Sequence, residues 1–584
     1  MMRKQKPLRP YFEKMPEIGQ AMTETERQRW QENAGQVRSE EKIVEQAAEK
    51  IKLAGTSADK IHAKGQMTAY ERIEYLVDPG TWCPLHTLYN PGGNEDGCTG
   101  VIDGLAKIQG RWAVVIAFDN KILAGAWIAG QSENILRVTD LAKKLNIPLV
   151  WALNCSGVKL TEQEKVYAGP RGSGATFFRH AELNQLGIPV LNAIFGTNPA
   201  GGGYHGISPT ILIAHNEANI AVGGAGIVGG MSTTGRFDME SALQIIEAAK
   251  TLRAKAPGRV ETHFDGTAFF REVHDTEAGV LDGIKEYMKG LPAYHPDFFQ
   301  VADAAEPALP QEDLYYLLQA DPKRTYDAIQ VMARLVDNSE FMEYRPDYGP
   351  EVFTGIAKMD GFPVGVIGNK QGFFLNYPNY VDENNVGLGG KLYRQGLIKM
   401  NEFVTFCGRD NLPIIWLQDT VGIDVGDNAE NAELLGLGQS LVYSIEKAAM
   451  PMLCIVTRKG TAAAHYLMGG PQSTTTALTI GTAITEIYVM HSETAAIANY
   501  SRKLVKEHKE GKSMDKTLEA MNAMVDDYHN KSRPVFCAQT GMIDEIVPMD
   551  RLRQYCVAFA GAYYQNPRSI TPVHQMIIPR TIKG

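Results

Sequence analysis

The sequence lacks the marks of several common protein classes. It carries seven cysteines in 584 residues: Cys83, Cys98, Cys155, Cys407, Cys454, Cys537 and Cys556. The number is odd, the spacing wide, and no C-x-x-C pair occurs, which argues against a disulfide framework or a thiolate zinc site and fits reduced thiols. No apolar run approaches the ~20 residues of a membrane-spanning helix. The most apolar stretch, residues 211–228, is broken by His215, Asn216, Glu217 and Asn219, and reads as buried core. Residues 1–16 are charged and lack the apolar segment of a signal peptide, so a cytoplasmic chain is expected. Basic excess is also missing. Lys and Arg number 58 against 67 Asp and Glu, a net charge of −9, which argues against a nucleic-acid partner.

Catalytic signatures are scarce too. G-x-x-x-x-G-K-[ST], H-E-x-x-H and G-x-S-x-G are all absent. No phosphate-binding P-loop, metal site or serine-hydrolase elbow is expected, and Ser156 is no hydrolase nucleophile. The trio Ala357-Lys358-Met359 departs from the Met-Lys-Met of a biotin attachment site, and its duplicate, Ala106-Lys107-Ile108, explains it as part of a hairpin.

What is present is a soluble composition, 44% hydrophobic and 21% charged, over a length that suggests roughly two to four domains. Residues 23–53 are charged and helix-forming, as in a solvated or docking helix. Beyond them the chain repeats itself. Gly104-Leu105-Ala106-Lys107-Ile108-Gln109-Gly110 returns as Gly355-Ile356-Ala357-Lys358-Met359-Asp360-Gly361, each copy followed by an apolar run. Leu76-Val77-Asp78 precedes the first copy and Leu335-Val336-Asp337 the second. Asn146-Ile147-Pro148 pairs with Asn411-Leu412-Pro413, and Gly187-Ile188-Pro189 with Ala449-Met450-Pro451. Four matches in one order, with separations that drift only slightly, predict two homologous halves. Their join is expected in the proline-interrupted residues 292–322. Helical segments alternating with short buried strands predict an α/β fold with crossover connections.

Two runs of tiny residues follow buried strands: Ala200-Gly201-Gly202-Gly203 and Ala462-Ala463-Ala464. Small residues let a ligand approach the backbone, and a helix beginning there leaves N–H groups without intrahelical partners. Paired N–H groups can stabilise a developing oxyanion, by ~3–4 kcal/mol per donor. A lone glycine run more often serves packing, but two equivalent runs favour two related pockets, with Gly202 and Ala463 expected at equivalent places. The loops at Cys155-Ser156-Gly157-Val158 and Asp419-Thr420-Val421-Gly422 are placed to complete them. His205 and His465, beside the runs, are read as packing residues before catalysts.

Residues 385–426 resemble the biotin-dependent acyl-CoA carboxyltransferase family. They contain Gly389-Gly390-Lys391-Leu392, Lys399 to Val404, and Asp419-Thr420-Val421-Gly422-Ile423-Asp424-Val425-Gly426, close to the family's D-x-x-G-F-x-x-G with Ile423 in place of Phe. Val366-Ile367-Gly368-Asn369 and Gly541 to Val547 extend the likeness, which spans roughly residues 65 to 570. Asn154 to Lys159, Thr197 to His205 and Arg458 to Tyr466 resemble the family branch that decarboxylates glutaconyl-CoA. Propionyl-type members read A-G-G-A and Y-G-G-A instead.

The resemblance implies two crotonase-like (ClpP/crotonase superfamily) domains: a helical extension at 1–64, an acyl-CoA half at 65–305 and a biotin half at 306–584. It implies that Gly157, Val158, Gly201, Gly202 and Gly203 hold the CoA thioester, and that Gly422, Ala462, Ala463 and Ala464 hold biotin, with no metal. Gly157, Gly201, Gly202, Gly422, Ala462 and Ala463 would be the catalytic set. The implied reaction moves the carboxyl group of glutaconyl-CoA to biotin on a separate carrier subunit, giving crotonyl-CoA and carboxybiotin. This is the first step of a Na+-pumping decarboxylase of glutamate fermentation. Implied partners are a second copy of the chain, in a homodimer or larger homo-oligomer, the biotin carrier subunit, and an integral-membrane Na+-translocating subunit. The chain would be cytoplasmic and peripheral to the membrane. Two alternatives stay open: the carboxyltransferase subunit of a biosynthetic acyl-CoA carboxylase, such as a methylcrotonyl-CoA type, and a non-catalytic scaffold.

Overall fold

A computed structural model describes residues 14–207, 209, 211–223, 237–254, 257–291, 301–374, 377, 386–470 and 473–565. Part of the expected join, residues 292–300, lies outside them, as do residues 224–228 of the apolar stretch. The chain forms two compact units. One comprises Ala48–Phe299 with Ala562–Gly584, and the other Met1–Ala47 with Gln300–Gly561.

The first unit is built on seven described strands, in the order Cys83–Leu85, Val101–Ile108, Arg111–Phe118, Leu149–Leu153, Val190–Ile194, Ile211–His215 and Glu272–His274. The first three pair antiparallel and the rest parallel. Strands buried on both faces read as continuous apolar runs, as Leu149–Leu153 and Val190–Ile194 do. Helices Ala69–Leu76 and Glu277–Lys289 cover one face and share the core with Val115, Val150, Ala193 and Ile213. A capping box on Thr68 and Glu71 starts the first of them. The buried Arg72 side chain ties it to Glu277 of the second, at 2.7 and 2.8 Å.

The second unit repeats this sheet. Met342–Glu343, Val352–Met359, Phe362–Asn369, Ile414–Thr420, Met452–Thr461, Thr476–Gly481 and Glu545–Ile546 stand in the same order and senses, with Glu486–Tyr488 beside Met452–Thr461. The register repeats as well: Val114 pairs with Leu149 as Gly365 pairs with Ile414, and Leu149 with Val190 as Ile414 with Met452. Local chemistry recurs at the turns. Asp78 accepts from the N–H groups of Gln109 (2.9 Å) and Gly110 (2.7 Å), and Asp337 from those of Asp360 (3.0 Å) and Gly361 (2.7 Å). Asn146 and Asn411 each end a helix in the left-handed region, where Asn is tolerated, and a proline follows two residues later. These repeats establish the duplication.

Lys358 lies inside the hairpin strand Val352–Met359, opposite Pro363, as the repeat predicted. Helix Gln31–Leu53 is a docking helix in its first part: Asn33 Nδ2 donates to the Tyr315 and Leu318 carbonyls, both at 2.9 Å, and the Glu41 carboxylate accepts from the Met549 N–H at 2.8 Å. No helix among the described residues is long and apolar enough to cross a membrane.

Candidate active site

Each unit carries one turn of tiny residues at the end of a buried strand. In the first, Val190–Ile194 leads through Thr197–Pro199 to Ala200 and helix Gly201–Ile207. The first intrahelical bond runs from the Tyr204 N–H to the Ala200 carbonyl (3.0 Å), so the N–H groups of Gly201, Gly202 and Gly203 precede the ladder. In the second, Met452–Thr461 leads directly into helix Ala462–Leu467.

Backbone conformation fixes how the two turns correspond. Ala200 and Ala462 both hold φ +50°, a left-handed value uncommon for alanine. Tyr204 and Tyr466, four residues on, are both exposed, at 56% and 49%. Gly201 therefore stands opposite Ala463 and Gly202 opposite Ala464. The expected pairing of Gly202 with Ala463 is one residue out of step. His205 and His465 are not equivalents either; His205 matches Leu467. Both are buried. Burial and the neighbouring His180 push the His205 imidazole well below its usual range, and its ring lies 4.1 Å from that of Trp151. Burial takes His465 down to about 4, and its Nδ1 meets Gln418 Oε1 at 2.7 Å.

The partner loops also correspond. Gly157 (φ +100°) and Gly422 (φ +123°) take backbone conformations that L side chains rarely adopt. In the first pocket the Gly157 carbonyl accepts from the Trp127 N–H at 2.8 Å, and the Lys159 N–H donates to the Trp127 carbonyl at 2.9 Å. A Cβ at Gly157 would lie 3.8 Å from Pro199 Cγ, so the loop abuts the residues before the small-residue turn. The Trp127 ring stacks on Phe118 and Phe177, and a Cβ added to Gly201 would meet it at an ordinary 3.6 Å. The Cys155 N–H donates to buried Asn198 Oδ1 at 2.7 Å. Val158 pairs with Trp127 in an isolated bridge.

Gly202 and Gly203 face the protein rather than open space. A Cβ at Gly202 would sit 2.6 Å from the Cys155 carbonyl oxygen, and one at Gly203 would come 3.1 Å from the Asn198 carbonyl oxygen. Gly422 is the opposite case, with no heavy atom within 4 Å of an added Cβ. Ala463 is exposed and Ala464 buried. The second loop is the end of strand Ile414–Thr420, and it is held by Gln371, whose Nε2 donates to the Asp419 carbonyl at 2.8 Å.

The two surroundings differ in charge. At the first pocket Asn154 packs against Gly196, where a Cβ would meet Asn154 Oδ1 at 2.7 Å. At the matching places of the second stand Asp419 and Arg458, a buried pair with the guanidinium 3.0 Å from Oδ2, which Tyr326 OH also reaches at 3.0 Å. Trp127 and Gln371 went unassigned in the sequence, and Asn198 and Arg458 stood inside the resembling segments with no role given to either.

Residues 60–577 match the carboxyl transferase domain family. The chain belongs to that family. This carboxyl transferase is 54% identical over 575 residues to the glutaconyl-CoA decarboxylase subunit alpha of Acidaminococcus fermentans, covering 98% of this chain and 97% of the relative. It is 26% identical over 412 residues to the biotin-dependent 3-methylcrotonyl-coenzyme A carboxylase beta1 subunit of Mycobacterium tuberculosis, covering 70% of this chain and 71% of that one. The crystal structure of the beta subunit of P. aeruginosa geranyl-CoA carboxylase superposes with a TM-score of 0.73 at 21% identity, over 96% of this chain and 99% of that one. That likeness confirms the two-domain carboxyltransferase fold.

Proposed function

We propose that this chain transfers the carboxyl group of glutaconyl-CoA to biotin on a separate carrier subunit, as the first step of a Na+-pumping decarboxylase. The observation that carries the reading is the duplicated turn: a left-handed alanine at the entry to a short helix, set with a positive-φ glycine loop, once in each half. Such a turn offers backbone donors where negative charge develops. The 54% identity to a glutaconyl-CoA decarboxylase alpha subunit along almost the whole chain supports the substrate.

In this reading the acyl-CoA half is 65–305 and the biotin half 306–584. The N–H groups near Gly157, Gly201 and Gly202 polarise the thioester carbonyl. Loss of the distal carboxylate leaves a dienolate whose charge reaches that oxygen through the conjugated C=C bond. The donors hold the charge without a side-chain base. The ureido nitrogen of biotin would take the carboxyl group in exchange for its N–H proton, and the dienolate would gain one proton to leave as crotonyl-CoA, so that atoms and charge balance. The open space at Gly422 and the exposed Ala463 suit such a ring. A homodimer with opposite halves face to face would bring the two pockets together and create two such cavities. The carrier and an integral-membrane Na+-translocating subunit complete the assembly and would hold this chain peripherally at the membrane.

The test is a pair of matched variants, Gly201→Val and Ala463→Val, in full-length protein. Calorimetry follows binding of crotonyl-CoA, and a coupled assay follows carboxyl transfer from glutaconyl-CoA to free biotin. The first variant should cut turnover by ~100-fold, the value of one ~3 kcal/mol donor. The second should weaken use of biotin and leave CoA-ester binding intact. The reverse pattern would exchange the two pockets. Sedimentation at assay concentration tests the dimer, which full activity in a single-chain species would overturn.

A further inference from the structure

Cys155 occupies the point where the two loops of the first pocket touch. It is fully buried, and burial pushes its thiol up to about 12, so the sulfur stays protonated. Its N–H donates to Asn198 Oδ1, and Asn198 Nδ2 donates in turn to the carbonyls of Phe195 (2.9 Å) and Asn219 (3.1 Å). The loop after one strand is thereby tied to the turn after the next. On its other side Cys155 presses on Gly202: a Cβ there would lie 2.6 Å from its carbonyl oxygen and 3.1 Å from both its Cβ and its Sγ.

Thr420 holds the same position in the second half, two residues before Gly422. Its Oγ1 accepts from the Gly422 N–H at 3.3 Å and donates to the Gly390 carbonyl at 2.9 Å. There the residue two before the positive-φ glycine aims that glycine's N–H. Cys155 acts by packing instead, its Sγ filling the space beside Gly202.

We propose that Cys155 is a positioning residue for the donors that polarise the thioester: tied to the turn through Asn198 and packed against Gly202, it fixes the spacing of the Gly157 and Gly202 N–H groups. This rests on the assignment of those glycines to the CoA thioester. Cys155 touches neither ligand nor reacting atom. Its effect belongs in kcat and in the polarisation of the bound carbonyl, not in KM.

The experiment uses the full chain with Cys155→Ala and Cys155→Ser. It measures kcat and KM for transfer from glutaconyl-CoA to free biotin, the melting temperature, and the infrared stretch of the thioester carbonyl in bound 13C-labelled crotonyl-CoA. Cys155→Ala should lower kcat about tenfold or more, as a small misplacement of catalytic groups does. It should leave the binding of crotonyl-CoA unchanged and shrink the red shift of the carbonyl. Cys155→Ser, which fills part of the space left by the sulfur, should move both quantities the same way but less. Retention of full kcat and the full red shift in Cys155→Ala overturns the proposal. Should that variant fail to fold, an unaltered shift in Cys155→Ser overturns it. If the wild-type protein itself shows no red shift, the thioester assignment fails, a separate outcome from failure of Cys155.

Discussion

Asp419 accepts from the Arg458 guanidinium at 3.0 Å in the place where the first half sets Asn154 against Gly196. One copy of the duplicated fold thus keeps a buried ion pair where the other keeps an amide beside a glycine. Removing one partner of such a pair leaves a buried charge without its counter-ion.

Asp419→Asn should therefore destabilise the protein by roughly 3–5 kcal/mol in urea unfolding. The double variant Asp419→Asn/Arg458→Gly rebuilds the neutral pair of the first half and should recover part of that loss. A double variant no more stable than Asp419→Asn alone would show that the guanidinium is satisfied by its other partners, among them the Arg324 carbonyl at 2.7 Å.

The first glycine turn offers a sharper contrast. Gly201→Ala places its methyl at a normal distance from Trp127, whereas Gly202→Ala drives one into the Cys155 carbonyl. Gly202→Ala should cost about 1–3 kcal/mol, the usual range for overpacking, and Gly201→Ala much less. Thermal melts of both proteins decide it. Equal stability would mean that the two loops separate freely.

Lys399 gives a pH signature. Its ammonium is buried beneath helix Arg394–Asp410, donates to the Val352 carbonyl at 3.0 Å, and is brought by burial from 10.5 down to about 8. Between those two values the unfolded chain binds the proton more tightly than the folded one, so this group's contribution to stability rises with pH across that window and is lost as pH falls through about 8. Lys399→Met should flatten the rise. Urea unfolding of both proteins at pH 7 and pH 9.5 measures it, and an unchanged slope would remove Lys399 as its source.

Much of this was legible in the sequence because its causes are local. The Gly104–Gly110 and Gly355–Gly361 repeats each run from a strand into a tight turn, and that strand pairs with the next one in the chain. Asn146 and Asn411 mark helix ends two residues before a proline, as chain-local sterics require. Strand periodicity, duplication and the two runs of tiny residues were visible for the same reason, and the motifs of residues 385–426 carried the family.

The sequence by itself therefore determined a duplicated α/β carboxyl transferase with one small-residue turn in each half. Tertiary structure alone decided the correspondence inside the turns. A string of alanines and glycines aligns almost equally well one residue either way, and only the shared left-handed φ of Ala200 and Ala462 sets Gly201 opposite Ala463. It also decided which small residues face open space and which face the protein, since a hydrogen at Cα has no preference until a neighbour arrives. Gly202 is held small by Cys155, and Gly422 by its backbone alone. The bonds of Cys155 to Asn198 and of Asp419 to Arg458 join residues about forty apart in the chain, and such contacts form only when separate strands are laid side by side in one sheet.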